Sequence, residues 1–84
     1  MNEDRLKSVR EAFTTTLRKK RNLIGISQEE LGFRSGITMR YVSLLETGKR
    51  QPTITTIASI CQALDISLSD FMIEVDELAE GQSK

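Results

Sequence analysis

The sequence predicts an all-α fold, five helices in one small domain, on three observations. Apolar residues recur at steps of three and four along nearly the whole chain, which is the spacing of one helical face. Asn2, Ser27, Thr38, Thr53 and Ser67 each stand just ahead of such a segment, where a side-chain oxygen can cap free backbone N–H groups. Gly25, Gly36 and Gly48 close the first three segments, as residues tolerant of the left-handed conformation do at helix ends. With 84 residues there is room for one core, so 1–84 forms a single compact domain, with 80–84 expected as a disordered tail.

The first helix opens after Asn2, with Glu3 and Asp4 in the first turn, where the helix dipole favours negative charge. Leu6, Val9, Phe13 and Leu17 mark a buried stripe through about Asn22. Arg18, Lys19, Lys20 and Arg21 crowd the last turn. Cations there suit the dipole, and they are also placed to meet a phosphate.

Ser27-Gln28-Glu29-Glu30 is a capping box, in which the serine oxygen and the Glu30 carboxylate satisfy each other's backbone donors. Ile26 and Leu31 flank it as a hydrophobic staple. This second helix ends near Ser35, because Gly36 supplies the left-handed residue of a sharp reversal. Gly32 sits inside it at a propensity cost of about 1 kcal/mol relative to Ala, which close approach of the next helix would explain.

Thr38 caps the third helix. On a helical wheel Val42 and Leu45 fall inward with Tyr41 at their edge; Met39, Arg40 and Ser43 fall opposite, and Leu44 flanks them. Gly48 stops the helix, and Lys49 and Arg50 follow at once. Pro52 fixes an extended entry to the fourth helix, capped by Thr53, with Ile54, Ile57, Ala58, Cys61 and Leu64 inward. Cys61 is then a small core residue rather than a reactive thiol. Ser67 caps the fifth helix, whose inward stripe is Leu68, Phe71, Met72, Val75 and Ala79; Ile73 points away and Leu78 lies at the edge.

Composition excludes several function classes. No apolar run approaches the roughly eighteen residues of a membrane span, and Met1–Arg10 is charged rather than a signal sequence. A single cysteine can form no internal disulfide, which fits a reducing cytoplasm. There is no histidine, no metal-ligand cluster, no nucleophile–base pair and no phosphate-cradling glycine loop, so neither an enzyme nor a bound cofactor is expected.

The net charge of zero hides a division. Residues 1–50 carry eleven Lys/Arg against six Asp/Glu, and residues 51–84 carry one against six. One part suits an anion and the other keeps away from it. Residues 27–46 form two short helices joined by a tight turn, a helix-turn-helix, the device that sets a helix in the DNA major groove. Arg40 offers a bidentate donor for guanine, Ser43 a hydroxyl, and Met39 an apolar contact for a thymine methyl. Lys49 and Arg50 are placed to grip a phosphate beyond the groove.

Over Leu17–Phe71 the chain resembles the Cro/phage-repressor class of helix-turn-helix domain. The resemblance is carried by Leu17, Arg21, Gly25, Ser27-Gln28-Glu29-Glu30-Leu31, Gly36, Val42-Ser43, Glu46, Gly48-Lys49-Arg50, Pro52, Leu64 and Ile66-Ser67. Arg40-Tyr41-Val42-Ser43 with Glu46 is also similar to the recognition helix of restriction–modification controller proteins, small dimeric regulators of that class. The resemblance implies a phage-repressor-like DNA-binding fold with Thr38, Met39, Arg40 and Ser43 at base edges. It implies Gln28, Tyr41, Thr47, Lys49 and Arg50 at the DNA backbone, with Gln28 also bracing the recognition helix. Arg21 and Glu46 match a structural ion pair between the first and third helices. Leu44 stands where the family is often polar, Gly32 where it usually has Ala, and the residues before Val9 extend the first helix beyond the family's usual start.

The function implied is a sequence-specific, cytoplasmic transcriptional regulator that is autoregulatory, binds double-stranded DNA and needs no small-molecule effector. One module reads too few base pairs for useful specificity, so a homodimer on a palindromic operator is expected, with third helices about 34 Å apart. Ile60, Ile73 and Leu78, apolar and off the expected core stripes, are the candidate pairing surface. The alternative is an antitoxin-like interaction module with secondary DNA binding, which a long toxin-wrapping tail would favour.

Overall fold

Capping chemistry sets the helix boundaries. The computed structural model describes residues 3–82 and has five helices: α1 Glu3–Leu23, α2 Gln28–Ser35, α3 Met39–Glu46, α4 Ile54–Ala63 and α5 Leu68–Gln82. The hydroxyls of Ser27, Thr38 and Thr53 accept from the N–H of Glu30, Tyr41 and Thr56 at 2.9, 3.0 and 3.2 Å. Ser67 accepts from Asp70 at 3.0 Å. The expected cap at Asn2 lies outside the described residues. Only half of the capping box forms. The Glu30 carboxylate turns forward to Arg34 Nε at 2.7 Å, one helical turn ahead, where an opposite charge attracts it.

The long helices α1 and α5 lie against each other, α2 packs on α3 and α4, and α3 also meets α1. The core draws on every helix: Ala12, Phe13 and Leu17, then Leu31, then Val42 and Leu45, then Ile60 and Cys61, then Phe71, Val75 and Ala79, with Leu64 at the end of α4. Phe13 and Phe71 meet edge to face at 5.9 Å, a favoured aromatic geometry. Polar contacts fasten the same seams. Arg5 reaches Asp76 and Glu80 at 2.9 Å, Lys20 reaches Glu74 at 2.7 Å, and Ser59 donates to the Ser35 carbonyl at 2.7 Å.

Three expectations need correcting. Leu6 is 40% exposed; the buried face of α1 instead includes the small residues Ser8, Ala12 and Thr16, which an apolar count passes over. In α4, Ile54 is 62% exposed and Ala58 is also exposed, whereas Ile60 is fully buried. Two stripes on this helix satisfy the same spacing, and the one through Ile57, Ile60, Cys61 and Leu64 faces the core. Ile60 is therefore not part of any pairing surface. Finally, α5 continues through Gly81 to Gln82, past the point where a disordered tail was expected to begin; 83 and 84 lie outside the described residues.

Cys61 is buried, and burial pushes its thiol above the ordinary value. A neutral thiol packs as a small hydrophobe. No single helix among the described residues is long and apolar enough to cross a membrane.

The turn between α2 and α3 depends on two glycines. Gly36 adopts φ 76°, a left-handed conformation that costs a Cβ-bearing residue roughly 1–2 kcal/mol, and the chain doubles back so that Ile37 N donates to Gly32 O at 2.9 Å. That reversal brings backbone onto Gly32. A Cβ there would stand 2.7 Å from Ile37 O and 3.2 Å from Met39 N. Gly32→Ala gains about 1 kcal/mol of helix propensity, but overpacking against backbone costs about 1–3 kcal/mol. The variant is expected to unfold at lower urea concentration than the parent; an unchanged or raised midpoint would show that the turn yields freely.

Candidate nucleic-acid interface

An eight-residue helix cannot hold its own position, and α3 is eight residues long. Its inner face, Val42 and Leu45, is fully buried. Its last residue, Glu46, is 1% exposed and anchors the helix to α1. Arg21 Nε donates to Glu46 Oε2 at 2.6 Å and Arg21 Nη2 to Oε1 at 2.9 Å, a two-point fit of guanidinium to carboxylate. The third Arg21 nitrogen donates to the Ile26 carbonyl at 2.8 Å, and Gln28 Nε2 donates to Glu46 Oε1 at 3.2 Å. The hydrogen bonds and charge of Glu46 raise the Arg21 guanidinium above its ordinary value, against the opposing effect of burial.

Two further residues complete this anchorage: Arg18, which the sequence offered only as part of a basic run, and Thr14, which it did not single out. Arg18 donates to the Glu46 carbonyl, and the Thr14 hydroxyl donates to the Leu45 carbonyl at 3.3 Å. Both donate to carbonyls of the last turn of α3, where cations and donors are favoured. Arg18 stands three residues before Arg21, on the same face of α1; that spacing was the available signal. Beyond Glu46 the chain closes in a Schellman arrangement, with Lys49 N on Leu44 O at 2.9 Å and Gly48 N on Leu45 O at 3.3 Å. This turn throws Lys49 and Arg50 outward, and both are exposed.

With the inner face and the end of α3 fixed, its outer face is open. Thr38, Met39 and Arg40 are exposed, with Ser43 and Leu44 half-buried beside them. Arg40, Lys49 and Arg50 make no ion pair among the described residues. Gln28 is half-buried; one of its two amide N–H groups braces Glu46 and the other stays available. Tyr41 is partly buried against the core. Thr47 commits its only hydroxyl proton to the Ser43 carbonyl at 2.9 Å. In this conformation it has none to offer a phosphate, because its donor closes the helix end. The basic run of α1 divides: Arg18 and Arg21 serve α3, and Lys20 serves α5.

A family model described as helix-turn-helix matches residues 17–71. The HTH-type transcriptional regulator y4dJ of Sinorhizobium fredii is 40% identical over 57 residues, 68% of this chain and 74% of that protein. Among solved structures, the clp gene regulator ClgR from Corynebacterium glutamicum is similar at TM-score 0.83 and 33% identity, over 89% of this chain and 80% of its own. The restriction-modification controller protein C.AhdI from Aeromonas hydrophila is similar at TM-score 0.71 and 35% identity, over 74% of this chain and 94% of its own.

The buried pair should dominate the stability of this region. Glu46→Ala leaves the part-buried Arg21 guanidinium without its carboxylate, and because water reaches one partner the cost should fall at or below the low end of the roughly 3–5 kcal/mol of a fully buried pair. Urea denaturation is expected to show that loss, while replacing both partners with apolar residues of similar volume restores most of it. A loss below about 1 kcal/mol for the single variant would mean that water re-enters and solvates Arg21.

Proposed function

The chain belongs to the helix-turn-helix family of transcriptional regulators, and from that we propose that it binds a palindromic operator as a homodimer and regulates its own gene. The observation that carries the proposal is the contrast between the two faces of α3. The inner face is buried and its end is ion-paired, while the outer face presents Arg40 unpaired beside Thr38 and Met39. A rigid helix with a free bidentate donor matches the B-DNA major groove, where arginine pairs with the O6 and N7 of guanine. Lys49 and Arg50, just past the helix, suit phosphates at the groove edge. The likeness to a controller protein supports the autoregulatory reading.

Pairing is assigned to α5. Ile73 on this helix is 53% exposed and Leu78 half-buried at its edge, among acidic residues that DNA would repel. Two copies joined there would keep their acidic helices off the duplex and leave both α3 helices free.

Fluorescence anisotropy tests the DNA-binding role, using duplex from upstream of the protein's own gene and a scrambled control. Tight binding to the native fragment, steep in salt, is expected; equal weak binding to both would overturn autoregulation. Arg40→Ala should lose about 1–3 kcal/mol on the native fragment and little on the control. Lys49→Ala should weaken both alike and flatten the salt dependence. Equal losses on both duplexes for Arg40→Ala would remove that residue from base reading. Ile73→Asp is expected to shift sedimentation from dimer to monomer, and an unchanged dimer would place pairing elsewhere.

A further inference from the structure

Most cations of α1 already have partners. Arg5 holds Asp76 and Glu80, Lys20 holds Glu74, and Arg18 and Arg21 hold Glu46. Arg10 and Lys19 are exposed and make no ion pair among the described residues; Lys19 lies toward α5 beside Glu74 and Glu77, and Arg10 does not. Lys7, one helical turn before it, meets only Glu11 at 4.0 Å, with side chains 69% and 55% exposed, a contact that contributes little in water.

The face of α1 that carries these two cations is turned toward the loop after α3. Thr14, one turn beyond Arg10, donates to the Leu45 carbonyl and lies 3.7 Å from where a Cβ on Gly48 would stand. Lys7, Arg10, Thr14 and Thr15 share one surface depression with Thr47, and Glu11 lies on the same rim. Arg10 borders a second depression together with Arg50. Arg10 therefore stands next to the loop whose cations are assigned to phosphate, on a part of α1 ahead of the matched segment 17–71.

We propose that the N-terminal half of α1, through Arg10 with Lys7 beside it, is a second phosphate-gripping element for duplex DNA. It continues the basic edge made by Lys49 and Arg50, so the contact with the duplex backbone runs past the reach of α3. The cleft holds Lys7 and Arg10 against the single carboxylate of Glu11, which leaves it cationic. Phosphates are the matching chemistry because they accept from guanidinium and ammonium groups alike.

The proposal rests on the DNA-binding role above, and the experiment separates the two. Binding of the full chain to a mixed-sequence duplex of about 30 base pairs is measured across salt concentrations, since each phosphate contact adds roughly one to the slope of log affinity against log salt. Arg10→Ala is expected to lower that slope by about one and to weaken binding about fivefold to tenfold at low salt. The Lys7→Ala, Arg10→Ala double variant should lower the slope by about two, and Arg10→Lys should keep most of it. Arg34→Ala, the same charge loss on the far end of α2, should leave the slope unchanged. Thermal melting should match the parent for Arg10→Ala, and Arg10→Gln serves if it does not. A parental slope for Arg10→Ala and Arg10→Gln, or an equal fall for Arg34→Ala, overturns the second grip alone. A parent that binds no duplex at any salt overturns both.

Discussion

The pairing of Arg21 with Glu46 is the interaction on which the presentation of α3 depends. Taking both charges out of water is costly, and their mutual attraction offsets that cost only when the geometry is good and the remaining polar atoms are satisfied. Both conditions hold here. The guanidinium meets the carboxylate at two points, the third nitrogen goes to Ile26 O, and Gln28 adds a donor to Glu46. The result joins α1, the α1–α2 connection, α2 and α3 at one place. Because a planar fork meets a planar carboxylate, the contact fixes the direction of the end of α3 as well as its distance from α1. Apolar packing of Val42 and Leu45 alone, being non-directional, would not set the azimuth of the helix.

Charge is distributed around that joint by task. A net charge of zero would ordinarily argue against nucleic acid, yet the acidic excess lies in α5 and at the turn before it. Part of it is consumed within the fold, where Glu74, Asp76 and Glu80 pair with Lys20 and Arg5 of α1. Those pairs are half-exposed and each contributes modestly. Arg40, Lys49 and Arg50, on α3 and the loop after it, have no such partner among the described residues.

Element order, caps and turns were legible in the sequence because they are local. A serine or threonine ahead of an apolar period caps a helix for reasons contained within four residues, and the glycine stops at 25, 36 and 48 all have positive φ. Facing was less legible. On α4 the stripe through Ile54 and Ala58 and the stripe through Ile57 and Ile60 differ by part of a turn, and only α2 and α5 decide between them. On α1, Ser8 and Thr16 are buried although they are polar, because the adjoining helix covers them. Among site residues, Arg21, Glu46 and Gln28 were legible through family resemblance. The roles of Arg18, Thr14 and the Thr47 hydroxyl were not, because each depends on a backbone carbonyl, and carbonyls leave no trace in side-chain patterns.

A short helix must be aligned from both ends, and the two ends of α3 are aligned by different physics. At its N-terminus the alignment is steric: backbone from Ile37 to Met39 lies against Gly32, with no room for a Cβ, and Thr38 caps the first turn. At its C-terminus it is electrostatic, through Glu46, Arg18 and Arg21. Neither alignment uses Met39, Arg40 or Ser43 side chains, which lie between the two on the outer face. The groups that position α3 are therefore separate from those on its outer face. Residues that hold the helix are buried and mutually dependent, so changing one strands its partners. Residues on the outer face have no such partners, so they can be exchanged with little effect on stability. That separation leaves the outer side chains free to vary on one rigid frame, and it follows from the burial of Glu46 and the absence of a Cβ at Gly32.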